Sequence, residues 1–349
     1  MSSFVPYGNT GLFDSFLQEL DVAAFNTPLL RVGKLIDWEL FRKTLYQAVL
    51  PTPKGPGGRP RFEPLFMFKV LILQRIHGLA DDEASFQIAD RNSFRAFLGL
   101  TAADKVPDGQ TIRDFREDLI KAKAFEQLFT TFLEYLRDKH GLALAKQGVI
   151  IDASFAEVPR QRNTREENKQ IKEGKVPESF EADPKRKAHK DMDARWAEKG
   201  DESFYGYKNH VKVDVVDKLI LDAVVTSAEV HDSQAVEGLV KPGDKTLYAD
   251  SAYTGEPIAV MLEEREVTGE ICEKGTRGHP LTEEQKKVNG AKSSIRCRVE
   301  HVFAQMVGSM KALYHRCIGF ERNEACIQLT NLVYNMLRFE QIVRLKLSH

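Results

Sequence analysis

The stretch Gly148-Val149-Ile150-Ile151-Asp152 decides how this chain is read. Three apolar residues, all β-branched, closed by an acid, are the pattern of a buried strand that delivers a carboxylate to the rim of a sheet. A second run of the same kind, Thr246-Leu-Tyr-Ala-Asp250, ends in another aspartate. A third acid, Glu300, lies inside the helical stretch Arg296-Cys-Arg-Val-Glu300-His-Val-Phe303. Two carboxylates at strand ends and one on a late helix make a hard, oxygen-only donor set suited to Mg²⁺ or Mn²⁺. Sites of that kind carry out phosphoryl transfer on nucleic acid with two ions. Taken singly, an Asp at a strand end also serves simply to open a turn.

Around these residues the pattern is mixed α/β. Tyr205 to Val215 alternates at period two: Tyr205, Tyr207, Val211, Val213 and Val215 share one face, and Lys208, His210, Lys212 and Asp214 the other. With a turn at Asp217-Lys218, residues 205–226 read as a hairpin. Its cations Lys208 and Lys212 are expected to face outward to a phosphate backbone, and His210 and His231 to be surface histidines. Asp232 is read as a helix cap before a fourth carboxylate. Short strands at 246–250 and 267–272 enclose a helix near 254–265. Two long helices, Ser293–Leu313 and Asn323–Leu345, close the chain. On the first of them the apolar stripe Ile295, Val299, Val302, Phe303, Met306, Met310 and Leu313 leaves Arg296, Glu300 and Lys311 along one edge at 100° per residue. The bland reading of Arg296 and Glu300 is a surface ion pair.

Residues 156–203 break the pattern. They hold 12 Lys/Arg and 12 Asp/Glu with no clear period, and read as a solvated insertion, partly disordered without a partner. Its basic end, Lys185, Arg186, Lys187 and Lys190 followed by Arg195 and Trp196, combines cations with an aromatic ring, as contacts to nucleic acid do. A plain charged loop is the alternative.

The first half is helical. Residues 1–50 read as one or two amphipathic helices and 51–64 as a basic Pro/Gly linker carrying Lys54, Arg59 and Arg61. Residues 65–145 read as a bundle of short helices around the apolar Leu65–His77. That unit suits a helix-turn-helix-like DNA binder, with Arg113 and Arg116 as candidate contacts, and suits a generic helical module equally well.

Composition narrows the class. With 42% hydrophobic and 29% charged residues, the chain of 349 can bury a core, and its length suits two domains. No apolar run is long enough to span a membrane and no signal peptide is read, so a cytoplasmic protein is expected. The four cysteines form no C-x-x-C pair, which argues against zinc and for reduced thiols. Net charge is −1, so overall basicity does not announce a nucleic-acid partner. Distribution does better: from Cys272 onward there are 13 Lys/Arg against 7 Asp/Glu.

In this order the motifs resemble the DDE transposases of bacterial insertion sequences, in the IS-four/IS-five superfamily. The resemblance runs through Gly58-Arg59-Pro60, Pro107-Asp108 with Thr111, Phe115 and Arg116, and Val149-Ile-Ile-Asp152-Ala. It continues through Gly206-Tyr207-Lys208-Asn-His210, His231-Asp232-Ser233, Tyr248-Ala-Asp250-Ser-Ala-Tyr253, and Arg296-x-x-x-Glu300. It implies an RNase H-like mixed-sheet catalytic domain over 146–349, with Asp152, Asp250 and Glu300 as catalytic, metal-binding residues for two Mg²⁺ or Mn²⁺ ions, preceded by the helical DNA-binding domain. The implied partners are double-stranded DNA, both terminal inverted repeats and target, and a second copy of the chain. The family signature Tyr-x2-Arg-x3-Glu-x6-Lys is met at Arg296 and Glu300, whereas Ser293 and Val307 stand at its Tyr and Lys positions. Lys311, one turn past Val307, is expected to supply the missing phosphate contact, Tyr253 the aromatic one, and Arg298 a further cation. The rival readings are an RNase H-like nuclease that cleaves without joining, a non-catalytic DNA-binding descendant, and a small-molecule metal hydrolase.

Overall fold

The computed structural model describes Phe4–Val5 and residues 26–49, 60–101, 103–142, 144–276, 278–312 and 314–347. Contacts divide the chain into two units. One comprises Met1–Leu142, Ser309–Lys311 and Gln328–His349; the other comprises Ala143–Gly308 and Ala312–Ile327.

The first unit is built on the helix Pro64–His77, in which Leu65, Phe66, Phe68, Val70, Leu71, Ile72 and Leu73 are buried. A helix apolar on all sides must be enclosed by others. Glu63 caps it by accepting from the Phe66 amide at 2.6 Å, and Gly78 ends it in the left-handed region at φ +59°. Around it lie the helices Pro28–Leu35, Arg42–Ala48, Asp81–Asp90, Asn92–Leu98, Gly109–Lys121 and Ala124–His140. Asp108 caps Gly109–Lys121 through the Thr111 amide at 2.7 Å. Phe41 packs on Phe68 at 5.0 Å between ring centroids, and Phe132 on Phe339 of the last helix at 6.3 Å. Two-residue strands β1 (Phe4–Val5) and β2 (Arg61–Phe62) pair in parallel.

The second unit holds a six-stranded mixed sheet made of β3 (Val149–Glu157), β4 (Arg195–Lys199), β5 (Glu202–Asp214), β6 (Ile220–Ser227), β7 (Thr246–Ala249) and β8 (Thr268–Ile271). The order runs β4-β5-β3-β7-β8, with β6 also on β5. β5 lies antiparallel to β3, β4 and β6, while β3, β7 and β8 are mutually parallel. Three parallel strands extended by an antiparallel hairpin form an RNase H-like sheet. Helices Glu256–Glu264, Glu283–Arg296 and Arg298–Gly308 accompany it, and Phe320–Leu345 begins in this unit and ends in the first.

Three expectations need correction. The hairpin is not polar on one face: β5 is a central strand covered on both sides, so His210 is fully buried and Lys212 is 5% exposed. The late helix is not continuous: it breaks at Cys297 and stops at Gly308, and Leu313 lies outside the described residues.

The charged segment 156–203 is folded. It forms helices Arg165–Lys172, Glu178–Glu181 and Pro184–Ala188 before β4, the first with a Thr164/Glu167 capping box. Phe180 is fully buried, with Arg186 at 5.2 Å and Lys190 at 5.3 Å from its ring centroid. Glu167 pairs with Arg186 at 2.7 Å and accepts from Ser179 at 2.7 Å. Dense charge gave no apolar period because the few buried apolar residues, Ala156, Val158, Ile171, Phe180 and Ala194, are widely and irregularly spaced. Limited proteolysis of the DNA-free protein should therefore leave 165–190 uncut; rapid cutting inside 165–190 would contradict this packing.

Candidate active site

Asp152 and Asp250 are brought together by strand register. Val149 pairs with Leu247 and Ile150 with Tyr248 across parallel β3 and β7. The two strands running side by side bring Asp152 near Asp250, whose charge acts on it, just past the end of β7. Asp152 lies within β3 and not at its end, since the strand runs on to Glu157. Asp250 follows β7 and caps a short 3₁₀ turn, its Oδ1 accepting from the Ala252 amide at 2.8 Å.

The third acid arrives from the helix pair beyond. Arg296 ends Glu283–Arg296, and Glu300 lies in the first turn of Arg298–Gly308. The Arg296 guanidinium donates to Asp152 Oδ2 at 2.7 Å and stands 3.7 Å from Glu300 Oε1. A single cation thus spans two of the three carboxylates. Asp152 has 13% of its side chain exposed and Glu300 60%. Burial pushes the Asp152 carboxyl up to about 6, against the pull of the Ala153 amide and Arg296 and with the push of Asp250 and Glu300.

The sign of that shift makes a prediction. A carboxyl raised in the folded state binds more protons folded than unfolded between its ordinary value and about 6. Stability of the metal-free protein should fall as pH rises through that window. Urea midpoints for Asp152→Asn should lack this slope; an equal slope in the variant would locate the titration elsewhere.

Among the described residues no three His, Cys, Asp or Glu side chains are gathered as a metal cluster. The donor chemistry nevertheless fits a hard divalent cation: three carboxylates, with Asp152 raised chiefly by burial and further by Asp250 and Glu300 while paired with the Arg296 guanidinium.

The other candidate residues separate into spent and exposed cations. Lys212 is buried in an ion pair with Asp244 at 3.2 Å, and Lys208 binds Asp232 and the Val230 carbonyl, each at 2.8 Å, so neither is presented to DNA. Arg116 is fixed by two 2.8 Å bonds to Asp81, and Arg195 is turned to the carbonyls of Met192, Ala194 and Ile171. Arg298 donates to the Val215 carbonyl at 2.9 Å. Lys190 donates to the Arg162 carbonyl and Asn163, and Arg186 is held by Glu167.

Tyr253 is fully buried, so it offers no surface to a ligand backbone. Lys311 is not on the Glu300 helix edge: it lies past the helix end at φ +49°, against Gly78. The 100° arithmetic fails there because the helix has already stopped. Lys185, Lys187 and Trp196 remain exposed, Trp196 with Arg160 5.3 Å from its ring. Arg61 and Arg113 are exposed but paired with Asp118 and Asp81. Lys54 and Arg59 lie outside the described residues.

Sequence reasoning missed a polar scaffold under the site. Asp232 is the partner of Lys208, while His231 caps the 3₁₀ turn through the Ser233 amide. His210 is held by Thr226 at 2.8 Å, and burial lowers its pKa to about 4, so it is neutral at pH 7. Asp191, 3% exposed, accepts from the Tyr207 hydroxyl at 2.7 Å and the Gly319 amide at 2.8 Å. The Gly206-Tyr-Lys-Asn-His210 motif could have flagged this network, because three of its polar side chains stand on a strand otherwise rich in Val and Tyr. Nothing around Asp191 marks it in sequence.

A family model described as Transposase DDE domain matches residues 143–336, and another, Transposase domain (DUF772), matches residues 18–118. A solved piggyBac transposase synaptic complex with hairpin DNA is 12% identical, over 91% of this chain and 76% of that one, at a TM-score of 0.42. The first match takes in more than half of the 349 residues and carries Asp152, Asp250 and Glu300 within it, and the chain accordingly belongs to the DDE transposase family and is a DNA transposase.

Proposed function

We propose that this transposase, of the IS-four/IS-five branch, acts in the bacterial cytoplasm as a homodimer on the terminal inverted repeats of its own insertion sequence. It nicks the repeat ends and joins the freed 3′-hydroxyls to target DNA. The observation that carries the reading is the parallel pairing of β3 with β7, which brings Asp152 near Asp250, with Arg296 linking Asp152 towards Glu300.

Asp152, Asp250 and Glu300 would hold two Mg²⁺ or Mn²⁺ ions. When bound, such ions activate water or a hydroxyl and stabilise the entering and leaving oxygens of an in-line displacement. The chain's own groups do the rest. The Ala153 amide holds the Asp152 carboxylate by donating to its Oδ1 at 2.8 Å. Arg296 neutralises the acids until a phosphate competes for its guanidinium, which suits a planar fork. Lys185, Lys187 and the Trp196–Arg160 pair supply exposed cations and a stacking face for the DNA backbone and bases.

The test uses purified protein with Mg²⁺ and duplexes bearing either the repeat or a scrambled end. Nicking at the repeat terminus and joining of a pre-cut 3′-hydroxyl end into plasmid are expected. Cleavage without joining would favour a nuclease, and repeat binding without cleavage in Mg²⁺ or Mn²⁺ a non-catalytic descendant. No helix among the described residues is long and apolar enough to cross a membrane.

A further inference from the structure

Two thiols far apart in role from the carboxylate site meet in the second unit. Cys317 and Cys326 place their sulfurs 3.3 Å apart, both as reduced thiols and both half-buried. Disulfide sulfurs are about 2.05 Å apart, so a shift of little more than 1 Å would bond them. Cys272 and Cys297 lie elsewhere, the latter exposed.

The two come from different local structures. Cys317 sits on the strap from Tyr314 to Gly319 that leads into the final helix; Cys326 is on that helix, Phe320–Leu345. The strap is anchored at both ends. His315 donates its amide to the Glu157 carbonyl at 2.8 Å, at the end of the strand that carries Asp152, and Gly319 donates to Asp191 at 2.8 Å. Asn323 adds a bond to the Gly319 carbonyl at 2.9 Å. With its ends held, the strap keeps Cys317 over Cys326 and does not let the pair drift apart.

Access comes from the other side. Cys317 and Ile318 help line a cavity of about 260 Å³ whose wall includes Arg160, Arg162 and Lys190. A small hydroperoxide fits that space and reaches Cys317 first. A thiol beside such cations is a readier nucleophile than one in an apolar core, although Asp191 also lines the wall.

We propose that Cys317 and Cys326 form an oxidation site, closing to an intramolecular disulfide when a hydroperoxide enters this cavity. The Cys317 sulfur attacks the peroxide oxygen, the O–O bond breaks, and Cys317 becomes a sulfenic acid as the alcohol or water leaves. The Cys326 sulfur then attacks Cys317, the S–O bond breaks, and its oxygen leaves as water with the two thiol protons accounted for between the products. Two electrons pass from the thiols to the peroxide. The bond fastens the strap, and with it the Glu157 end of β3, to the final helix; a thiol reductant reverses it.

The experiment treats the full-length protein with hydrogen peroxide, blocks remaining thiols with iodoacetamide, and maps non-reduced tryptic peptides by mass. A Cys317–Cys326 cross-linked peptide 2 Da below the reduced pair is expected, with Cys272 and Cys297 alkylated. The thermal unfolding midpoint should rise on oxidation and return with dithiothreitol, and neither change should occur in Cys317→Ser or Cys326→Ser. Recovery of both residues alkylated after peroxide, or cross-links only through Cys297 or between chains, would overturn the proposal. A midpoint shift that persists in both serine variants would do the same.

Discussion

Asp152→Asn, Asp250→Asn and Glu300→Gln should each lower strand cleavage about a thousandfold, equivalent to about 4 kcal/mol of barrier, while repeat binding stays within a few-fold of wild type. An amide keeps the size of a carboxylate and removes its charge, so the sheet and helices have no reason to repack. What is lost is an acceptor-only oxygen pair among the carboxylates that would hold the metal ions. The three variants should not behave alike in stability. Asp152 carries the buried, upward-shifted carboxyl, and its neutralisation removes repulsion from Asp250 and Glu300 along with the Arg296 pair. Glu300 is mostly exposed, so its replacement leaves the unfolding midpoint nearly unchanged. Double mutants should be no slower than single ones, because residues acting as one unit are not additive. Cleavage and urea unfolding measured on the same preparations would check both halves. Near-normal Mg²⁺-dependent cleavage by any one variant would remove that residue from the set.

The second large effect comes from a buried carboxylate, Asp191. Asp191→Ala should lower unfolding free energy by about 3 kcal/mol or more. The carboxylate accepts from the Tyr207 hydroxyl, from the Asp193 and Ala194 amides at 3.0 and 2.9 Å, and from the Gly319 amide. Deleting it strands four donors in a region where the residue itself is 3% exposed. It also unties the folded 156–203 segment from β5 and from the strap before the last helix. Asp191→Asn should fall between, since one amide oxygen remains to accept while its NH₂ faces donors. Trp196→Ala, at an exposed position in the same segment, should be nearly neutral in urea and is the control. Equal midpoints for Asp191→Ala and wild type would show that water replaces the carboxylate.

Local sequence determined much of this protein. The apolar runs ending in Asp152 and Asp250, the helix Pro64–His77 with its Gly78 stop, the Asp108 cap and the β5–β6 hairpin all follow from patterns within a dozen residues. Such patterns are local because backbone hydrogen bonding and side-chain period are local. Tertiary structure alone decided which polar residues face water. Lys208, Lys212 and His210 alternate as an exposed face would, yet β5 takes a second layer on that side: each lysine is met by an aspartate more than 20 residues away, and neutral His210 by Thr226. It also decided that the charge-rich 156–203 folds, because a few scattered buried residues such as Val158, Ile171 and Phe180, with ion pairs around them, leave no period to detect. Lys311 lost its expected place for the same reason in reverse: packing ended the helix at Gly308, where periodicity continued to Leu313. Composition and period report what one element prefers; partner choice among distant charges depends on which elements meet, and that is a property of the whole chain.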